Sequence, residues 1–231
     1  MLSLQDIDSY YGRSHILHGV TLSVARGDLL AVLGRNGTGK TTLLRTIMGL
    51  TDTSTGSFLL DGQELVGMAT HGRASVGIGY VPQGRQIIPD FSIRENILMG
   101  GFAARSGERA IPEIVPELFP YLMENLDRPG GVLSGGQQQQ LAIARALAME
   151  PDVLLLDEPT EGIQPNVVEQ IEQSIIRLNR EIGLTVVLVE QNVRFAREAA
   201  SHFVMLENGR LVESGAIDSL TDDMISRHMT I

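Results

Sequence analysis

The sequence predicts an α/β fold with a mainly parallel sheet, an antiparallel β part near the N-terminus and an inserted helical subdomain. Three features carry that expectation. Apolar runs at Leu29–Leu33, Val153–Leu156 and Leu184–Val189 lack the alternation of half-exposed strands and read as strands buried in a parallel sheet. The first run leads directly into Gly34-Arg35-Asn36-Gly37-Thr38-Gly39-Lys40-Thr41-Thr42, the G-x-x-x-x-G-K-[ST] pattern of a phosphate-binding loop between strand and helix. Residues 84–132 change character, with frequent glycine and proline and short helical pieces. One domain of 231 residues is expected, with a core at about 1–83 and 151–231 and a helical subdomain at about 84–150.

Composition removes several function classes. There is no cysteine, which excludes disulfides, a thiol nucleophile and thiolate metal sites. The formal charge of −10 lacks the basic footprint of a nucleic-acid binder, so no nucleic-acid partner is expected. Met1–Asp8 has neither a basic nor an apolar signal region. No apolar run approaches the ~20 residues that span a bilayer. The chain is therefore expected to be soluble or peripheral, with any membrane role exercised through partners.

In chain order, Leu2, Leu4 and Ile7 open a strand and Tyr10-Tyr11-Gly12 reads as a turn. Ile16–Val24 is a second extended stretch, and Arg26-Gly27-Asp28 turns the chain into the strand feeding the loop. On spacing alone Tyr11 is a half-buried strand aromatic, with stacking on a base as the alternative. In the loop, glycines let backbone N–H groups turn inward around a phosphate chain, and the following helix points its positive end at the same anion. Lys40 is placed to reach the outer phosphates and the Thr41 hydroxyl to ligate Mg²⁺. Leu43, Leu44, Ile47 and Met48 then recur at helical spacing up to Gly49. Thr51–Gly56 reads as a turn cluster, Ser57–Leu60 as a short strand and Asp61-Gly62 as a hairpin signal.

The strand Ile78–Val81 ends at Pro82, which puts Gln83 on a loop at a strand's carboxyl end, where open α/β sheets place ligand groups. An ordinary polar loop residue is the alternative. Helical pieces follow at Ile93–Met99 and Ile114–Leu126. Ser134 and Gln137 have capping-box spacing ahead of Leu141, Ile143, Ala144 and Leu147. That glycine-flanked helix start is either a second phosphate site or simply a capped helix. Val153–Leu156 ends in Asp157-Glu158-Pro159. Asp157 suits the Mg²⁺ of a phosphate-loop enzyme, and Glu158 suits orienting or deprotonating an attacking water. Leu184–Val189 ends in Glu190-Gln191, and a terminal hairpin turns at Glu207-Asn208-Gly209 before a short amphipathic tail.

Four segments occur jointly and in order: the loop at 34–42, Tyr80-Val81-Pro82-Gln83, Leu133-Ser134-Gly135-Gly136-Gln137, and Leu154-Leu155-Leu156-Asp157-Glu158-Pro159. By them the chain resembles the ATP-binding subunit of ABC transporters over essentially its whole length. The resemblance implies ATP and Mg²⁺ as ligands. Tyr11 becomes the adenine-stacking aromatic. Gly34, Asn36, Gly37, Gly39, Lys40, Thr41 and Thr42 become the phosphate contacts, with Thr41, Gln83 and Asp157 at the metal. Glu158 becomes the general base, with Gln83 and Gln191 beside it. Ser134, Gly135, Gly136 and Gln137 resemble the signature loop that binds the γ-phosphate of a partner subunit's ATP. The implied partners are a second ATP-binding subunit, two transmembrane permeases and, indirectly, a solute-binding protein. The implied location is the cytoplasmic face of the inner membrane.

Two positions depart from the family pattern. Gln191 stands where histidine is usual, and a neutral amide carries neither proton nor charge. Glu161-Gly162-Ile163-Gln164-Pro165 lacks the usual aspartate of that loop. The Glu190-Gln191-Asn192 tip is similar to the ATPases of branched-chain amino-acid and amide importers. Gln137–Gln140, Glu161–Pro165 and Glu117–Pro120 most resemble the second ATP-binding subunit of urea importers. The expected function is thus ATP-driven import of a small polar solute, urea first, with branched-chain amino acids or short amides as alternatives. A soluble ABC-type ATPase of DNA repair or translation usually carries two cassettes or long coiled-coil insertions, which this sequence does not show. A non-catalytic regulator fits poorly with Lys40, Asp157 and Glu158 all present.

Overall fold

In this computed structural model, residues 1–229 are described. Strand β1 (Leu2–Tyr11) pairs antiparallel with β2 (Ser14–Val24), and β3 (Leu29–Leu33) leads through the glycine-rich loop into helix α1 (Lys40–Met48). Next come β4 (Thr53–Leu60), β5 (Gln63–Glu64), α2 (Thr70–Ser75) and β6 (Ile78–Val81). The following stretch holds α3 (Ile93–Gly100), α4 (Val115–Leu118), α5 (Pro120–Glu124) and α6 (Gly135–Leu147). The chain closes with β7 (Val153–Asp157), α7 (Pro165–Arg180), β8 (Thr185–Val189), α8 (Val193–Ala199), β9 (His202–Glu207), β10 (Arg210–Ala216) and α9 (Asp222–Met229).

Two sheets result. One is antiparallel, in the order β2-β1-β4-β5; the other runs β10-β9-β3-β8-β7-β6, parallel except for the terminal β9/β10 hairpin. The α/β fold with a mainly parallel sheet and an antiparallel β part is therefore as the sequence predicts.

The period of two along the apolar strands explains the layering. Leu29, Ala31 and Leu33 of β3, Leu154 and Leu156 of β7, and Val186 and Leu188 of β8 pack on one core with α3, α6, α7 and α8. The alternate residues Leu30, Val32, Val153, Leu155, Val187 and Val189 pack on the other core with α1 and the antiparallel sheet. Burying one such side chain contributes roughly 1.5–3 kcal/mol, so strands covered on both faces anchor the fold. Their carboxyl ends hold the loops considered below. Among the described residues no helix is long and apolar enough to cross a membrane.

Three local expectations need correction. Tyr10 and Tyr11 belong to β1, and the turn lies at Gly12-Arg13. The expected turn cluster Thr51–Gly56 is mostly strand: β4 starts at Thr53, because Thr53, Ser54 and Thr55 pair with Tyr10, Ser9 and Asp8. The turn-like glycine at 56 instead marks a register shift between Gln5 and Asp8. The piece Ile114–Leu126 is broken into α4 and α5, since Pro120 pushes Phe119 out of the helical region to φ −134, ψ 62.

Candidate functional site

The loop after β3 is closed by its own polar groups. Thr38 Oγ1 donates to the Arg35 carbonyl at 2.9 Å, and Lys40 Nζ donates to the carbonyls of Gly34 and Arg35, each at 2.9 Å. Lys40 is only 4% exposed, and its Nζ lies 3.5 Å from Glu158 Oε1. Around it opens a cleft of about 460 Å³, lined by Ile16, Asn36, Gly37, Gly39, Lys40, Thr41, Thr42, Gln83 and Glu158. Backbone donors, one ammonium and hydroxyls on one wall make it suited to a polyphosphate.

The tips of β7 and β8 supply the opposing groups. Asp157 ends β7, is 1% exposed, and accepts from Thr41 Oγ1 at 3.0 Å and from Tyr80 Oη at 3.3 Å. Burial raises its pKa. The Glu158 charge adds to that, while the hydrogen bonds from Thr41 and Tyr80 and the Lys40 charge oppose it. Burial also raises the Tyr80 phenol, and the neighbouring Asp157 charge raises it further. Glu158 has a left-handed φ of +46, a conformation that costs a non-glycine residue on the order of 1–3 kcal/mol and clusters at working sites. Its N–H donates to the Val189 carbonyl at 3.0 Å, and its Oε2 accepts from Gln191 Nε2 at 2.9 Å. The structure thus brings Lys40, Thr41, Asp157, Glu158 and Gln191 together.

Other expected residues have different partners. Gln83 lines the cleft, but its amide donates to Glu161 Oε2 at 2.6 Å and is not turned to Asp157. Tyr11 is not among the lining residues; the Arg45 guanidinium lies over its ring, 5.5 Å from the centroid. Ser134, Gly135 and Gly136 line a separate hollow of about 190 Å³ with Gly162, Ile163, Gln164 and Val167, sharing no residue with the cleft. Ser134 and Gln137 form the expected capping box. Gln137 Oε1 accepts from the Ser134 N–H at 3.0 Å, and Ser134 Oγ accepts from the Gln137 N–H at 3.4 Å.

Two groups escaped the sequence reading. Glu190 is 4% exposed and accepts from Thr160 Oγ1 at 2.7 Å and from the N–H groups of Gln191 and Asn192 at 3.0 and 3.2 Å. Burial raises its pKa, with the Glu158 charge adding to the effect. A carboxylate directly after a fully apolar strand was the available signal. Ile16 joins the cleft wall from β2, a distant contact with no local signature.

The donor set at Asp157 fits a hard divalent cation. Thr41 and Asp157 present oxygens 3.0 Å apart, and a buried carboxylate whose charged form is disfavoured gains from a cation. Among the described residues no group of three or more histidine or acidic side chains could hold a metal, so the remaining ligands would come from phosphate and water.

Residues 17–161 match the ABC transporter family. The chain is 42% identical over 213 residues to the high-affinity branched-chain amino acid transport ATP-binding protein BraG of Pseudomonas aeruginosa, covering 92% of this chain and 91% of that one. It is 34% identical to the probable branched-chain amino acid transport ATP-binding protein LivF of Archaeoglobus fulgidus, covering 96% of this chain and 94% of the relative. An ATP-binding cassette solved as a dimer in a post-hydrolysis state with ADP and Pi superposes with a TM-score of 0.80 at 25% identity, over 95% of this chain and all of that one. Motifs, fold and relatives coincide: the chain belongs to the ABC transporter family, as an ATP-binding, ATP-hydrolysing subunit.

Proposed function

We propose that this chain hydrolyses ATP in the cleft around Lys40 to drive import of a small polar solute through separate membrane permeases, from the cytoplasmic face of the inner membrane. The observation that supports it most is the meeting of Lys40, Thr41 and Glu158 at one cleft, with Asp157 bonded to Thr41 behind it. In this reading Lys40 leaves its carbonyl partners and Glu158 for the β- and γ-phosphates, while the backbone N–H groups of the loop hold the phosphate chain. Glu158, freed from Lys40, orients and deprotonates the attacking water, and Gln191 positions both by its bond to Glu158. Thr41 and Asp157 would hold Mg²⁺, with Gln83 as a further ligand in place of its bond to Glu161. When bound, the cation neutralises charge on the outer phosphates.

The signature loop at Ser134–Gly136 lies in a different hollow from the phosphate loop, which suits a head-to-tail pair in which each chain completes the other's ATP site. We assign the core to about 1–83 and 151–231 and the helical subdomain to about 84–150. Tyr11 is proposed to stack on adenine after Arg45 moves away from its ring.

Urea is the solute supported by Gln137–Gln140, Glu161–Pro165 and Glu117–Pro120. Branched-chain amino acids are the second reading, favoured by two relatives that match almost end to end. Reconstitution with the permeases and binding protein tests both. Urea-stimulated ATP turnover supports the first reading, leucine-stimulated turnover the second, and no turnover in any condition contradicts the ATPase assignment.

A further inference from the structure

The hairpin turn Glu207-Asn208-Gly209 lies outside the cleft, yet it is bonded to the two segments that carry its walls, the phosphate loop and β2. The Gly209 N–H donates to the Thr38 carbonyl at 2.9 Å, and the Gly209 carbonyl accepts from the His18 N–H at 2.9 Å. Thr38 belongs to the phosphate loop. His18 lies two residues along β2 from Ile16, which lines the cleft. Asn208 and Gly209 have φ of +47 and +74, the paired left-handed positions of a two-residue hairpin turn. Such turns usually protrude into water, but Gly209 is buried. A Cβ at Gly209 would sit 1.8 Å from the Ile16 carbonyl oxygen and 2.9 Å from His18 Cδ2. Any side chain here must therefore push β2 away from the loop. On its far side the turn is held by α9, with His228 Nδ1 2.8 Å from Glu207 Oε2.

From this geometry we infer that Gly209 is a positioning residue for the nucleotide, fixing the spacing between the phosphate loop and the β2 wall. A nucleoside triphosphate touches both walls and gains from a spacing set in advance. Inorganic tripolyphosphate touches the loop alone, and the loop keeps its internal closure through the Thr38 hydroxyl. The inference rests on the reading that the loop is the nucleotide's phosphate site.

Calorimetric titration of the full-length chain with ATP and with tripolyphosphate tests it. Gly209→Ala should weaken ATP binding roughly tenfold and leave tripolyphosphate within about twofold. Gly62→Ala is the control. Its φ is +81 and nothing lies within 4 Å of an added Cβ, so it carries backbone strain without the contact and should change neither ligand. Should Gly209→Ala fail to fold, inserting one glycine between Asn208 and Gly209 adds slack without a Cβ and should give the same split. Unchanged ATP affinity, or equal losses for both ligands, overturns the inference. Failure of both variants to fold also overturns it, making the turn a folding element. Lys40→Ala isolates the underlying reading: loss of both ligands upholds the loop as phosphate site whatever Gly209 does, and loss of neither removes it.

Discussion

At the scale of single residues, Glu158 is the proposed base. Replacing it by Gln keeps the shape and a hydrogen bond to Gln191 but removes the base. ATP binding should persist while hydrolysis falls ~10²-fold or more in a steady-state assay; near-normal turnover would remove Glu158 from that role. Gln191 reaches Glu158 at 2.9 Å without adding charge, so Gln191→Ala should lower turnover more than it weakens ATP binding. Full turnover in that variant would make position 191 only a strand end. Glu190 offers a pH test. Burial raises its carboxyl above the ordinary 4.5, so its protonated form is favoured in the folded chain. Its contribution to stability is complete below 4.5 and is lost as pH rises through the raised value. Glu190→Gln keeps an acceptor for the two backbone N–H groups and a donor toward Thr160 without the charge. Its stability relative to wild type should therefore climb from acid to neutral pH in chemical denaturation. A difference independent of pH would contradict the assigned burial effect. The coming together of Asp157, Lys40 and Thr41 was legible because each stands in a contiguous motif at a strand end or helix start. Glu190's hydrogen bonds and Ile16's place in the cleft were not, since each depends on strands brought together only by the sheet.

At the scale of elements, helix α6 shows how a short motif sets a boundary. Its capping box satisfies N–H groups at Ser134 and Gln137 that would otherwise lack partners. Ser134→Ala should cost about 1 kcal/mol, lowering the Tm by roughly 2–4 °C in a chain of this size, and scanning calorimetry would read it. No shift would mean the cap contributes nothing to stability. Helix α1 was legible to within a residue from Lys40 and the stop at Gly49, and the start of α6 from its Ser134 cap. The buried strands β3, β7 and β8 were equally plain, because their apolar runs without alternation read as strands covered on both faces. The start of β4 was not legible. Thr53, Ser54 and Thr55 carry turn-like composition, and only pairing with β1 makes them strand. Tertiary contact overrode local propensity there, as it did at Pro120 in reverse, where local geometry broke a helical period.

At the scale of the whole molecule, one chain holds a cleft and a hollow that do not meet. The cleft around Lys40 and the hollow at Ser134–Gly136 have no lining residue in common. The claim that follows is that ATP binds between two chains and that hydrolysis releases them, giving the open and closed states their difference in affinity. The most direct measurement is the solution mass of the Glu158→Gln variant, which retains ATP, by light scattering with ATP or ADP. The account predicts a dimer with ATP and a monomer with ADP. Adding Ser134→Arg should abolish the dimer while leaving ATP affinity of the monomer unchanged. A Glu158→Gln chain that stays monomeric when saturated with ATP, or a Ser134→Arg chain that loses ATP affinity as a monomer, would contradict it.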